Sequence, residues 1–331
     1  YMRGMMYFYL CRVFGRPYYQ EPEKNLGVPI VNGMPEDMDN LDLPDRSSVK
    51  DTYEQVLSDL KKAEELMSDF KSPAYASKYA AQALLAKVYM YMSGTFENPN
   101  KEYAQLSYNY ANEVIESNQF SLLSRSTFMT YNELAPDAAS QTETIFAVKF
   151  IASDWDDWGS PLGSMYAEID GQGWGEVYAS AKYMDLLHET GKNTDAREAF
   201  IHPQYKKNDA GDQIPAFRFV ANLYTDGKIS GYVYRQGETK EVGGKLIATV
   251  DDEEYTLTPV DVDNKRYPIS YKGKTYVGDY DYLMLESQGN PKFYSYKCSK
   301  QEGYPHLYSP VISRLGELYL IRAEASAKLG N

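Results

Sequence analysis

Histidine and cysteine are scarce: His188, His202 and His306 stand far apart in the sequence, as do Cys11 and Cys298. No H-E-x-x-H or C-x-x-C pairing results, so the spacings that build zinc and redox centres are missing. The thiols are expected to be free core residues, and each histidine a surface or internally satisfied one. Also missing are a G-x-S-x-G elbow, a G-x-x-x-x-G-K-[ST] loop and a G-x-G-x-x-G turn opening a helix, which leaves covalent and nucleotide chemistry without support. No apolar run reaches the roughly 18 residues that a membrane-spanning helix needs. Positive charge is short as well: 34 Lys and Arg against 47 Asp and Glu give a net charge of −13. Such a surface repels a phosphate backbone, so nucleic acid is excluded as a partner.

What is present begins with amphipathic helices. From Ser47 to Met67 the apolar positions Val49, Tyr53, Val56, Leu57, Leu60, Ala63 and Leu66 recur at three- and four-residue steps, and Ser47 or Ser48 can cap the run. A second helix is expected from Ala76 to Ser93, where Ala80, Ala81, Ala83 and Ala86 allow a neighbour to approach closely. A third runs from Glu102 to Ser117, and a helix of the same small-residue type from Arg314 to Leu329. Helix, short turn and Ala-rich helix in succession follow the pattern of tetratricopeptide-like stacking.

The middle of the chain reads differently. T-E-T-I-F-A-V-K-F, Thr142 to Phe150, has the β-branched and aromatic content of a strand. A helix is expected from Ala179 to Thr190, closed by Gly191. Between Lys228 and Tyr282, short strands such as G-Y-V-Y-R and K-L-I-A-T-V are separated by Gly, Asp and Asn. The expected fold is therefore mainly α: a tetratricopeptide-like helical scaffold over residues 1–141 and 311–331, with an inserted irregular region containing short β-strands over 142–310. The first residues are already in helical period, without an initiator Met or cap, and the chain ends as a helix closes, so a fragment of a longer protein is expected.

All three tryptophans, Trp155, Trp158 and Trp174, fall within twenty residues in the inserted region. Calcium does not explain the acids around them. A loop from Asp154 places Trp158 and Met165 where an EF-hand needs oxygen ligands, and a loop from Asp261 places Lys265 and Lys272 there. A paired-carboxylate glycoside hydrolase drawing on Asp154, Asp156, Asp157 and Glu168 is one alternative, since two acids need only be neighbours in space. The aromatic inventory points elsewhere. Sugar rings stack their C–H faces on aromatic planes and need polar partners at their edges, so Trp and Tyr among polar loop residues suit a glycan platform. Trp155, Trp158, Trp174 and Tyr166 are the expected stacking planes, with Asp156 and Asp157 as hydroxyl partners. Helical tyrosines such as Tyr53, Tyr79 and Tyr110 are expected in the core. No cofactor or metal is expected.

Eight phrases together carry a resemblance. They are Y-F-Y-L-C-R-V-F-G at Tyr7, L-G-V-P-I at Leu26, the run from Arg46 to Ala63, K-Y-A-A-Q-A-L-L-A-K-V-Y-M-Y at Lys78, Y-A-N-E-V-I at Tyr110, T-E-T-I-F-A-V-K-F, T-D-A-R at Thr194, and R-L-G-E-L-Y-L-I-R-A-E-A at Arg314. In this order the chain resembles the SusD/RagB-like nutrient-binding lipoproteins of Bacteroidetes outer membranes. The resemblance implies one SusD-like domain, incomplete at both ends, that binds glycan or peptide without catalysis. It further implies a surface-exposed position on the outer membrane, held by an N-terminal lipid outside this sequence. Its implied partner is a SusC-like TonB-dependent barrel. The family's ligand residues form no fixed motif, so the site residues above rest on their chemistry alone. The rivals are the hydrolase and a helical-repeat scaffold that binds only protein.

Overall fold

The computed structural model describes residues 1–31, 33, 44–154 and 162–331. Its α-helices are α1 (Met2–Phe14), α2 (Val49–Leu66), α3 (Lys78–Met92), α4 (Lys101–Glu116), α5 (Arg125–Met129), α6 (Leu162–Tyr166), α7 (Ala181–His188) and α8 (Leu315–Leu329). The chain forms two compact units. One comprises Tyr1–Ser124, Ala135–Lys149 and Ser309–Asn331; the other comprises Arg125–Leu134 and Phe150–Tyr308.

In the first unit α1 packs on α2, α2 on α3, α3 on α4, and α8 on both α3 and α4. The helices begin where side-chain caps satisfy free amides: Ser48 accepts from the Asp51 N–H, Ser77 from Ala80 and Asn100 from Tyr103. The alanine stripe expected on α3 is buried. Ala80, Ala83 and Ala86 meet Ala111 and Val114 of α4 and Leu318, Ile321 and Ala325 of α8, while Leu84, Leu85 and Val88 join Phe8, Tyr53 and Leu60. Small residues on one side and branched ones on the other let α3 pack in two directions at once. Cys11 is free and buried here. Tyr53 is buried, and Tyr79 and Tyr110 are partly buried against the same clusters.

A two-stranded antiparallel ribbon of β1 (Thr144–Ala147) and β12 (Val311–Arg314) completes this unit. Just before β1, the buried Glu143 receives the Gly316 N–H at 3.0 Å on one oxygen and the Leu123 N–H at 3.2 Å on the other. A carboxylate at the start of α8 satisfies an orphan amide and favours the helix dipole. Glu143→Ala is expected to lower stability by about 1–2 kcal/mol, the usual cost of a lost cap, and Glu143→Gln by less; urea denaturation of the three proteins checks this.

The second unit contains β2 (Ile201–Pro203), β3 (Pro215–Thr225), β4 (Lys228–Val242), β5 (Lys245–Val250), β6 (Glu253–Leu257), β7 (Arg266–Tyr271), β8 (Lys274–Tyr282), β9 (Glu286–Ser287), β10 (Asn290–Pro291) and β11 (Phe293–Ser295). Six of these make one antiparallel sheet in the order β6-β5-β4-β3-β8-β7; β2 pairs with β11 and β9 with β10. Tight turns close the hairpins at Asp226–Gly227, Gly243–Gly244, Asp251–Asp252 and Lys272–Gly273, with positive φ at both central residues. This is the turn geometry that matches strand twist, and Asp and Gly are the residues that tolerate it. One face of the sheet buries Phe217, Phe219, Ala221, Ala248, Val250, Ile269 and Tyr271.

The sheet corrects the expectation of a mainly α chain with only short strands. Strands β3 and β4 run 11 and 15 residues, so β4 is as long as α3. The segment P-A-F-R-F-V-A-N-L-Y-T, which forms β3, alternates Phe217, Phe219 and Ala221 against Arg218, Val220 and Asn222, the period of two that a half-buried strand requires. Among the described residues no helix is long and apolar enough to cross a membrane.

Candidate functional site

Trp174 is 49% exposed, yet the backbone that carries it is held from several sides. Its N–H donates to the Ser164 carbonyl at 2.8 Å, the Gly175 N–H donates to the same carbonyl at 3.1 Å, and the Val177 N–H reaches Met165 O at 2.9 Å. The segment is thereby tied to α6, whose last residue is the half-buried Tyr166. Upstream, Ile169 and Gln172 exchange both backbone hydrogen bonds around a tight turn at Asp170 and Gly171. Ala167, Ile169 and Tyr294 form the small core beneath.

Glycine makes this display possible. Gly175 has φ +55°, and a Cβ there would lie 2.7 Å from the Tyr294 ring. His306 holds the other side. Its Nε2–H donates to Gln172 O at 2.9 Å, which leaves Nδ1 to accept from the Ser299 hydroxyl at 3.3 Å. Asn132 then ties the Tyr296 and Ser299 carbonyls, each at 3.0 Å. His202 lies flat on Tyr296 with centroids 3.7 Å apart, and burial together with the nearby Lys300 keeps its pKa below the ordinary value. The result is an indole presented on a preorganised support, so little ordering cost falls on a ligand that stacks against it.

Of the expected site residues, Trp174 and Tyr166 are brought onto this one support. Trp155, Asp156, Asp157 and Trp158 lie outside the described residues. Glu168 is exposed, and the Asp154 carboxylate receives the Ile151 N–H at 2.9 Å. The framing residues Asn132, Tyr294, Ser299 and His306 were not expected from sequence, because each acts from a distant position. The alternation of Gly171, Gly173 and Gly175 around the indole was the available signal.

A second polar feature lies where α7 meets the sheet. His188 is buried, with Nδ1 2.6 Å from Asp279 Oδ2 and Nε2 3.0 Å from Glu198 Oε1. Burial opposes its charge, but two carboxylate hydrogen bonds outweigh that, and its pKa is raised. Asp279 also faces Arg266 at 3.2 Å, and Arg266 reaches Asp185 at 3.2 Å. Asp281 accepts from Arg218 at 2.7 Å, Lys192 at 3.0 Å and the Tyr205 hydroxyl at 3.1 Å. Asp279 and Asp281 both titrate below the usual carboxylate range: burial works against this, and the neighbouring His188, Arg218 and Lys192 overcome it. His188 is thus a satisfied structural histidine. Among the described residues no group of three or more His, Cys, Asp or Glu side chains could hold a metal ion.

A helical unit, and a unit built on an antiparallel sheet with a fixed, half-exposed indole, define a mixed helix-and-sheet protein with an aromatic display. The chain belongs to the SusD family, whose model matches residues 142–331, more than half of it. A second family model, described as starch-binding associating with outer membrane, matches residues 1–90. No curated protein matches the chain. Among solved structures, a SusD superfamily protein from Bacteroides thetaiotaomicron is 24% identical with a TM-score of 0.63, over 100% of this chain and 53% of that one. A SusD-like carbohydrate binding protein from Bacteroides vulgatus is 15% identical with a TM-score of 0.51, over 99% and 50%. A third structure, solved with xylogluco-oligosaccharide, is 19% identical with a TM-score of 0.50, over 98% and 52%. The chain therefore spans about half the length of the solved relatives it matches.

Proposed function

We propose that this chain binds oligosaccharide at the bacterial outer-membrane surface, without altering it chemically, and presents it to a SusC-like TonB-dependent barrel. The observation that carries this reading is Trp174, a half-exposed indole on a support fixed by hydrogen bonds and glycine contacts. Membership of the SusD family supports the ligand class, as does the starch-binding description of the model matching residues 1–90. In this reading residues 1–331 belong to one SusD-like domain, and a lipid anchors the full-length protein. Helices α1–α4 and α8 serve as a tetratricopeptide-like scaffold, and residues 142–310 supply the ligand face. Trp155, Trp158 and Tyr166 join Trp174 as stacking planes, with Asp156 and Asp157 at the hydroxyls. A barrel partner would meet the helical unit, where Met6, Leu10, Phe14 and Val31 line an exposed apolar groove of about 710 Å³.

Calorimetric titration with a panel of neutral oligosaccharides tests the site. Trp174→Ala is expected to weaken the tightest-bound glycan roughly thirtyfold, about 2 kcal/mol for the loss of a central aromatic anchor. Unchanged affinity across the panel would show that the indole is not part of the site. New reducing ends appearing on incubation would instead establish a hydrolase.

A further inference from the structure

On the face of the sheet opposite its core, β3 presents Arg218, Val220 and Asn222, and α7 covers one end of that face. Beside the helix opens a cleft of about 550 Å³, within the range of about 300–1,000 Å³ typical of small-ligand sites. Val220 of β3, Val260, and Val277 of β8, with the Tyr276 ring, give it an apolar part, and Asp185, Arg266, Asn222 and Asn264 supply polar side chains. Next to the lining residue Asn222, on the neighbouring strand β4, stands an aromatic plane. Tyr232 is 50% exposed and stands directly opposite Asn222 in the β3–β4 register, with Lys182 Nζ 5.3 Å from its ring centre.

The charges in these walls already have partners. Lys182 pairs with Asp185 at 2.9 Å, Arg266 with Asp185 and Asp279 at 3.2 Å each, and His188 with Asp279 and Glu198. Asp261 is spent on its own loop, receiving the N–H groups of Asp263 and Asn264. Among the described residues of this wall an anion would find no free cation and would face Asp261 and Glu189, while a wholly apolar ligand would leave the amides without partners. Asn222 and Asn264 each donate one side-chain hydrogen bond, to Tyr224 and Asp261 respectively. A primary amide has a second N–H and two carbonyl lone pairs to offer as well. Two side-chain amides in the cleft, one of them opposite an exposed phenol ring, match a ligand with C–H faces and uncharged hydroxyl edges.

We propose that this cleft is a second binding site, for one or two pyranose units of a neutral carbohydrate, with Tyr232 as the stacking plane and Asn222 and Asn264 as hydroxyl partners. It shares no residue with the α6 support, so the two sites can be separated by mutation. Saturation-transfer NMR and calorimetry on the whole chain carrying Trp174→Ala provide the test, with cellobiose, xylobiose and maltose as probes. Galacturonic acid and trialanine serve as the acidic and peptide arms. At least one neutral disaccharide is expected to bind this variant. Adding Tyr232→Ala or Asn222→Ala should weaken it at least fivefold while the thermal midpoint stays within a few degrees. Binding unaffected by Tyr232→Ala overturns the proposal, as does preference for galacturonic acid or trialanine. Loss of all disaccharide binding with Trp174→Ala alone overturns it too, yet leaves the Trp174 site standing. Binding that depends on Tyr232 but not on Trp174 supports the cleft and removes the α6 site.

Discussion

His188→Ala is expected to destabilise the sheet-containing unit by about 3–5 kcal/mol, the cost of removing one partner from a buried ion pair. For a unit of this size that lowers the thermal midpoint by roughly 6–20 °C. The effect is large because the imidazole joins three segments: α7, the turn that carries Glu198 and strand β8. Both ring nitrogens face carboxylates, so the doubly protonated imidazolium satisfies both at once. Its removal leaves Glu198 and Asp279, with side chains 14% and 10% exposed, to share a cavity with less positive charge.

The same cluster sets a pH window. The folded-state pKa of His188 is raised above 6.5, so its contribution is fully present below pH 6.5 and is lost as pH rises through the folded value. For Asp279 the sign reverses: its folded pKa lies below 3.8, so its contribution is present above 3.8 and is lost as pH falls through the folded value. Stability from this cluster is therefore greatest between about pH 4 and 6.5. Thermal denaturation from pH 5 to 9 should show the wild type losing stability on the alkaline side while His188→Gln, which has no proton to lose, stays flatter. Parallel pH profiles for the two proteins would remove His188 from this role.

How much of this was legible in the sequence depends on the range of each interaction. Helices α2, α3, α4 and α8 were readable to within about two residues because their caps and apolar spacing lie inside a short window. Ser48 and the alanines of α3 stand where that spacing placed them. Strand β3 was less legible because the apolar Val220 interrupts the polar side of its alternation and the group that lets Arg218 be buried, Asp281, lies 63 residues away. The cluster around His188 was hidden for the same reason, since Asp279 is 91 residues distant. Of the proposed aromatic site, residue type alone pointed to Trp174. What fixes its support, His306 acting on Gln172 across 134 residues, leaves no local trace.

That support yields the second large effect, Gly175→Ala. An L residue at φ +55° costs about 1–2 kcal/mol, and overpacking a filled core a further 1–3 kcal/mol, so a total of about 2–5 kcal/mol is expected. The Tyr294 ring cannot easily yield, being 3% exposed and packed against Ala167 and Ile169. Relief must then come from the 174–177 segment, which would release its hydrogen bonds to Ser164 and Met165 and lose the fixed orientation of the indole. Glycan affinity should therefore fall about as far as in Trp174→Ala, although residue 175 contributes no side chain to a ligand. Gly171→Ala separates the two causes. It has a similar φ of +77°, but a Cβ there meets nothing within 4 Å, so it should cost only the backbone term and leave affinity within about twofold. Denaturation and calorimetric titration of both variants give the comparison. If Gly175→Ala behaves like Gly171→Ala, the contact with Tyr294 does not hold the indole in place; if it lowers stability without lowering affinity, orientation of Trp174 is not what the ligand requires.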